Sequence, residues 1–305
     1  MAARTDDLSF IINPNSGTGG KPVKDILSRE MDRAGRRFEM FHTEYGGHGE
    51  VLAREAAVGG CGTVVAVGGD GTLNEVARGV VGTGAALGLL PCGSGNAFAR
   101  YAGIPLKLDQ ACRVLLDSKP RPLDVGSAGD EIFLSSAGFG IDAEVCRRFN
   151  ARDGGRRGTL PYVVISIDAF RSYRPERVIV EMDAGRSVVC NPYIVTVANI
   201  SQYGNGAVIA PEARPDDGIL DVCVIEDVTL WRGLWNTRRL FNGTIDQMPG
   251  VRMFRSKRVK IRRERPGWLQ VDGEARAGEE VVEVEVVPGA ISMVMPERSG
   301  DKKAD

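Results

Sequence analysis

Histidine is nearly absent: among 305 residues only His42 and His48 occur. Histidine-rich metal sites are thereby excluded. A Ser-His-Asp hydrolase is disfavoured as well, since no G-x-S-x-G elbow appears. The six cysteines (61, 92, 112, 146, 190, 223) form no CxxC pair and no short-range framework. That spacing fits reduced thiols rather than disulfides or a zinc site. No apolar run approaches the ~20 residues that a membrane span needs, and no signal-peptide pattern opens the chain. The expectation is a cytoplasmic protein without a transmembrane segment. Charge of one sign is also missing: 39 basic residues against 40 acidic ones leave a net charge of −1. That balance gives no support for a nucleic-acid partner. There is no internal repeat and no low-complexity tract. Glycine, by contrast, is plentiful at 39 residues, and several fall in clusters.

At roughly 150 residues per domain, the length suggests about two domains. The first part alternates strand and helix patterns. Strands are expected at 8–12, 38–43, 63–67 and 86–90. Helices are expected at 21–34, 50–57, from about Thr72, at 94–102 and at 108–116. Such alternation predicts an α/β fold, an N-terminal doubly wound, mostly parallel, Rossmann-like sheet with ligands at the strands' carboxyl ends. Near Asp124 the pattern changes to β-rich segments at 132–135, 177–182, 193–198, 220–225, 258–262, 281–287 and 290–295. Helical stretches at 161–172 and 229–241 interrupt them. This half reads as a β-rich antiparallel sandwich domain. The expected domains are 1–123 and 124–289, with residues 290–305 able to return to the first.

The chain is organised around Val64–Glu75, VVAVGGDGTLNE. A buried strand runs into a glycine turn, and Leu73, Val76, Ala77, Val80 and Val81 then recur at helical spacing. A strand, a glycine turn and a helix N-terminus make an anion site, because free N–H groups and the positive dipole end face one way. Asp70 within it would repel phosphate unless a divalent cation lay between them. The same residues fit an ordinary βα turn with Thr72 and Glu75 as a capping box. Two further turns follow strands: Asn13-Pro14-Asn15-Ser16-Gly17, and Pro91-Cys92-Gly93-Ser94-Gly95-Asn96, where Ser94 or Asn96 is placed to cap a helix. The first is no P-loop, since Lys21 precedes Pro22 rather than Ser or Thr.

Together these turns resemble the diacylglycerol kinase catalytic family, which includes bacterial soluble lipid kinases and sphingosine and ceramide kinases. The resemblance continues through Asn199 with Gly204 and Gly206, Ala210-Pro211-Glu212-Ala213, Asp217-Gly218-Ile219-Leu220-Asp221, Val271-Asp272-Gly273-Glu274 and Pro288-Gly289-Ala290. It implies ATP- and Mg²⁺-dependent transfer of a γ-phosphate to a lipid hydroxyl, by a nucleotide-binding domain and a lipid-substrate domain. Carried over by position, nucleotide contacts would come from Asn13, Pro14, Asn15, Ser16, Gly17, Thr43, Gly69, Asp70, Gly71, Thr72, Leu73, Asn74, Glu75 and Ser94. Asp70 would sit beside magnesium and phosphate. Glu274 would accept the hydroxyl proton, with Asp272 as a neighbour able to share the work. Asp217, with the carbonyls of Arg214 and Ile219, would match a structural magnesium site, an oxygen-only set that suits a hard cation. Taken alone, VDGE reads first as a hairpin turn, Asp-Gly being a strong hairpin signal, and only the resemblance turns it toward catalysis.

Two departures bear on the substrate. Ser94-Gly95-Asn96-Ala97 lacks the aspartate of many bacterial members and is similar to the sphingosine-kinase branch, whereas GDGTLNE looks like the bacterial diacylglycerol branch. After Ser16-Gly17 some members place a basic residue at once, and here Thr18 stands there. The reading drawn is a diacylglycerol-type lipid kinase of phospholipid metabolism, working peripherally at a membrane surface, with a homodimer allowed. A sphingoid or ceramide-type lipid kinase comes second. An NAD-kinase-like enzyme comes third, disfavoured by Asn74-Glu75, NPNSG and VDGE. A non-catalytic nucleotide- or lipid-binding relative comes last. The segment 229–241 (TLWRGLWNTRRLF) could lie on an anionic membrane, although a helix packed on the sheet by its aromatic face is the preferred expectation.

Overall fold

The computed structural model describes residues 4–17, 23–151, 159–226 and 238–297. Its contacts divide the chain into two compact units, one up to Leu123 and again from Gly289, the other Asp124–Pro288.

The first unit holds β1 (Arg4–Ile12), α1 (Val23–Ala34), β2 (Phe38–His42), α2 (His48–Val58), β3 (Cys61–Gly68), α3 (Asp70–Val80), β4 (Ala86–Pro91), α4 (Ala97–Ala102) and α5 (Leu108–Asp117). Strands β1 to β4 are parallel in the order β2-β1-β3-β4. Their residues are almost continuously apolar and buried (Phe10, Ile11, Val64 to Val67, Leu87, Leu89, Leu90), as strands covered on both faces must be. The chain leaves β1 toward β2 and returns past it to β3, so right-handed crossovers put α1 on one face and α2 and α3 on the other. Consistently, α2 packs on α3 and α1 on α5. The order reverses between β1 and β3, and such a switch point opens a crevice at the strands' carboxyl ends. The closing residues pair beside β4, Ser292 with Ala86 and Met293 with Leu87, and Arg121 donates to the Pro296 carbonyl at 2.8 Å.

The second unit is antiparallel. It contains β5 (Pro120–Ala128, which begins in the first unit), β6 (Glu131–Phe133), β7 (Ser136–Gly140), α6 (Ile141–Asn150), α7 (Thr159–Ser172), β8 (Val178–Met182), β9 (Ser187–Cys190), β10 (Ile194–Ala198), β11 (Gln202–Gly204), β12 (Ala207–Val208) and β13 (Leu220–Ile225). Then come β14 (Val251–Ser256), β15 (Arg258–Arg263), β16 (Gly267–Val271), β17 (Glu274–Gly278) and β18 (Val281–Val294). One sheet runs β14-β13-β10-β7-β16-β17, and the other places β18 beside β15, β8 and β9. Their inner faces share one core, with Phe133, Phe139, Val180, Val197, Val222, Ile261, Leu269 and Val284 in contact. This is the sandwich expected from the sequence.

Several boundaries differ from expectation. The helix expected at 94–102 begins only at Ala97, because Asn96 takes a left-handed φ of 49° and residues 94–96 form the turn. The strands expected at 281–287 and 290–295 are one strand. The strand expected at 132–135 is β6, which ends at Phe133, and a separate strand, β7, begins at Ser136. Most of segment 229–241 lies outside the described residues. Among the described residues no helix is long and apolar enough to cross a membrane.

Candidate active site

Within the first unit three turns meet at the carboxyl edge of the sheet, on either side of the switch point. Asn13 follows β1. Its side-chain amide donates to Thr72 Oγ1 at 3.1 Å, and its Oδ1 accepts the Asn15 N–H at 2.9 Å. Gly17 has φ +44°, and a Cβ there would stand 2.2 Å from the Cys92 carbonyl oxygen. A Cβ on Gly93 would stand 2.5 Å from Gly69 Cα. The turns therefore touch backbone to backbone, and only glycine permits that approach. Some N–H groups of these turns are already bonded within them, as Asn15 to Asn13 Oδ1 and Gly93 to Asn96 Oδ1. The N-terminus of α3 opens at the same edge, where a phosphate chain can be cradled.

Asp70 stands at the centre of this junction. Its carboxylate accepts the N–H groups of Ala97 (3.0 Å) and Phe98 (3.1 Å), which bolts the β3 turn to the start of α4. Burial raises its pKa above the ordinary carboxylate value, and these N–H bonds pull it back. The ionised carboxylate is an acceptor only, an oxygen ligand of the kind a divalent cation takes, so such an ion fits there chemically.

The capping-box alternative is not formed. Glu75 reaches away from its own helix to the N–H groups of Gly47 (2.9 Å) and Gly49 (3.0 Å), and Thr72 Oγ1 accepts from Asn13. Glu75 thus fastens the loop that follows Thr43. Thr43 is buried, and its N–H continues the β1 ladder to the Ile12 carbonyl at 2.9 Å. On the fastened loop Tyr45 and His48 stack at 4.5 Å, with Tyr45 60% exposed. Leu73 turns its side chain into the core, and Asn74 is buried. Pro14, Asn15 and Ser94 are exposed, while Ser16 and Gly71 are half-buried.

In the second unit VDGE is a two-residue hairpin. Asp272 and Gly273 take φ values of 47° and 85°, and Val271 pairs with Glu274 across the turn. Two left-handed residues in succession are what a type I′ turn requires. The Asp272 carboxylate accepts three N–H groups, from Leu134 (2.8 Å), Ser135 (2.8 Å) and Ser136 (3.1 Å). So occupied, it is an anchor for the turn more than a group ready to take a proton. Glu274 stays 44% exposed and pairs with Arg276 at 2.6 Å, which also reaches Glu131 at 3.3 Å.

The third set of expected residues lies on the loop before β13. Asp217 Oδ1 accepts the Ile219 N–H at 3.2 Å, and its other oxygen pairs with Arg255. The loop is tied back through Asp124, which accepts the Gly218 N–H at 2.7 Å. Arg255 also faces Asp221 at 3.6 Å, whose carboxyl burial pushes up to about 6. The donor set is oxygen only, as magnesium prefers, but Arg255 already neutralises the carboxylate. Among the described residues no three His, Cys, Asp or Glu side chains converge as a metal cluster.

Sequence reasoning missed several residues here: Glu75 as a loop anchor, and Asp142, Tyr203 and Gln270 behind the hairpin. The only signal was a polar residue beside two or three apolar ones, as in TrpLeuGlnVal and PheGlyIleAsp.

Glycine turns at the switch point of a parallel sheet, with a carboxylate hairpin on an antiparallel sandwich, define the two-domain kinase class. Comparison with known proteins agrees. Residues 7–128 match the diacylglycerol kinase catalytic domain, and residues 135–295 match the YegS C-terminal NAD kinase beta sandwich-like domain. A probable lipid kinase YegS-like protein of Chromohalobacter salexigens is 31% identical over 282 residues, covering 91% of this chain and 89% of its own. The diacylglycerol kinase of Bacillus subtilis is 27% identical over 274 residues, covering 87% and 88%. A diacylglycerol kinase crystal structure from Bacillus anthracis shares the fold, with a TM-score of 0.72 at 18% identity over 96% of this chain and 98% of that one. The chain belongs to the diacylglycerol kinase family of lipid kinases, in its YegS-type two-domain form.

Proposed function

We propose that this protein transfers the γ-phosphate of ATP, with Mg²⁺, to the hydroxyl of a diacylglycerol-like lipid at a membrane surface, giving a phosphatidic-acid-type product. The observation that carries the nucleotide half is the backbone-to-backbone junction of Gly17, Gly69 and Gly93 with their neighbouring turns. Main-chain N–H groups there hold the phosphates, and Thr43 and the Glu75-fastened loop flank them. Magnesium, when bound near Asp70, supplies neutralisation of phosphate charge. Asp217 with the Arg214 and Ile219 carbonyls holds a second, structural ion, in competition with Arg255. Glu274 takes the proton of the attacking hydroxyl. Its exposure leaves it reachable, and its bond to Arg276 must loosen for it to act as a base.

The test is transfer from radiolabelled ATP to lipids in mixed micelles, with dioleoylglycerol, sphingosine, ceramide and NAD compared. Labelling of dioleoylglycerol above the others is expected. Preferential labelling of sphingosine or ceramide moves the substrate to the second reading, which Ser94-Gly95-Asn96-Ala97 favours. Labelling of NAD alone, or of nothing, overturns the proposal.

A further inference from the structure

Behind the VDGE hairpin lies a buried polar chain that no part of the nucleotide site uses. Gln270, on β16, is 2% exposed, and its Oε1 accepts the Gly273 N–H at 2.8 Å. Its amide nitrogen donates to Ser136 Oγ at 3.2 Å and to the Asp142 carboxylate. Asp142, at the start of α6, is 5% exposed. It also accepts the Ala143 N–H at 2.8 Å and the Tyr203 hydroxyl at 2.6 Å. Tyr203 belongs to the β11–β12 ribbon.

The arrangement determines which way the Gln270 amide faces. A carboxylate only accepts hydrogen bonds when ionised, so the NH₂ end must point at Asp142 and the carbonyl end at Gly273. Space for this chain is reserved by a glycine. Gly138 lies opposite Gln270 in the β7–β16 register, and a Cβ there would stand 1.8 Å from Asp142 Oδ2 and 2.7 Å from Gln270 Nε2. An ordinary two-residue hairpin needs only its own cross-strand bonds. This one has both central residues bolted from behind, Asp272 to three N–H groups and Gly273 to Gln270.

We infer that Gln270 is a positioning residue for Glu274, clamping the Gly273 amide so that the neighbouring carboxylate is held in one place, and that Asp142 and Tyr203 fix the clamp's orientation. The inference rests on the assignment of Glu274 as the base. Displacement of a reacting group by about 1 Å can cost on the order of 10² in rate. Loosening one bond of the clamp costs less than deleting the base.

The experiment measures kcat and KM for ATP on the lipid that the micelle panel selects, the ADP dissociation constant, and amide exchange of the 270–278 hairpin. It compares wild type, Gln270→Met, Tyr203→Phe and Glu274→Gln. Expected for Gln270→Met is a kcat lower by about tenfold to a hundredfold, unchanged KM for ATP and ADP affinity, and faster exchange at Gly273. Tyr203→Phe keeps the ring and the packing and acts one bond further back, so a severalfold fall in kcat is expected with the same split. Should Gln270→Met fail to fold, Tyr203→Phe decides on these criteria. A folded variant with wild-type kcat overturns the clamp. So does a fall in kcat that tracks lost ADP affinity or lost folded protein, since a merely structural residue would give that result. Full activity in Glu274→Gln removes the base itself and the clamp with it. Inactive Glu274→Gln beside fully active Gln270→Met removes the clamp alone.

Discussion

The two units hold their turns in opposite ways. In the first, glycines bring main chain against main chain, and the site is made of backbone N–H groups whose side chains are mostly missing or turned away. In the second, the turn carries Glu274, the proposed base, and is held by other side chains from behind: Asp272, Gln270 and, through it, Asp142. A site built from backbone tolerates change of side chains and fails when a Cβ is added. A site built on one side chain fails by deletion. The two kinds of damage are expected to fall on different constants, binding in the first unit and turnover in the second.

Glu274→Gln tests that division most severely. It keeps size and removes the proposed base, so kcat is expected to fall on the order of 10²–10⁴ while ADP affinity and the thermal midpoint stay near wild type. Isothermal titration with ADP, run beside the kinase assay, checks both. Lost ADP binding would show that the units do not divide the work in this way.

Gly93→Ala is the matching change in the first unit. The added methyl would meet Gly69 Cα at 2.5 Å, a backbone atom, and Asn96 Oδ1 at 2.9 Å, on a side chain that is itself bonded to Gly93. The turns must part. Overpacking of this kind typically costs about 1–3 kcal/mol, and the separated N–H groups lose their common focus. ADP binding is expected to weaken by about tenfold or more. Unchanged ADP affinity in a folded Gly93→Ala protein would place the phosphates elsewhere.

The same contrast explains what could be read from the sequence. Strands β1, β3 and β4 were legible because burial on both faces makes them continuous apolar runs, and their turns because glycine clusters punctuate them. Strands β7, β16 and β17 were not. They read SerAlaGlyPheGly, GlyTrpLeuGlnVal and GluAlaArgAlaGly, with neither alternation nor an apolar run. Gly138 interrupts β7 to make room for Asp142 and Gln270, a demand set by residues 4 and 132 positions away that local pattern cannot express. The capping box failed for a related reason. ThrLeuAsnGlu has the right spacing, but Glu75 finds the loop N–H groups of Gly47 and Gly49, 28 and 26 residues back. VDGE was legible as a hairpin, and only the structure reveals how heavily it is anchored.

Asp272→Ala sharpens the comparison through stability. Three N–H groups would lose one shared acceptor, at about 1–3 kcal/mol for each buried donor left unpaired. Asp272 is half-buried, so water recovers part of that, and a loss of about 3 kcal/mol is expected. Urea unfolding measures it. Loss of kcat without loss of stability would instead give Asp272 a share in proton transfer.

Asp142→Asn gives the smallest effect, and its sign is the informative part. Burial pushes the Asp142 carboxyl up to about 6 from 3.8, while Tyr203, Ala143 and Gln270 partly compensate. The groups facing it, the Cys146 and Cys223 thiols and the Tyr173 phenol, are themselves pushed up to about 12 and stay uncharged from pH 4 to 8. A carboxyl raised on folding contributes its stability fully below the unfolded value near 3.8, and that contribution is lost as pH rises through about 6. Above pH 7 the wild type therefore carries a buried charge that the amide does not. The shift of roughly two units corresponds to about 3 kcal/mol at most. Asn keeps one acceptor but turns a donor toward the Gln270 amide, so about half of that is expected to survive. Thermal midpoints of the two proteins should differ in favour of Asp142→Asn at pH 8 and converge by pH 4. A difference that is independent of pH would mean that the Asp142 carboxyl titrates at the same pH in the folded and unfolded protein, so that burial does not raise it.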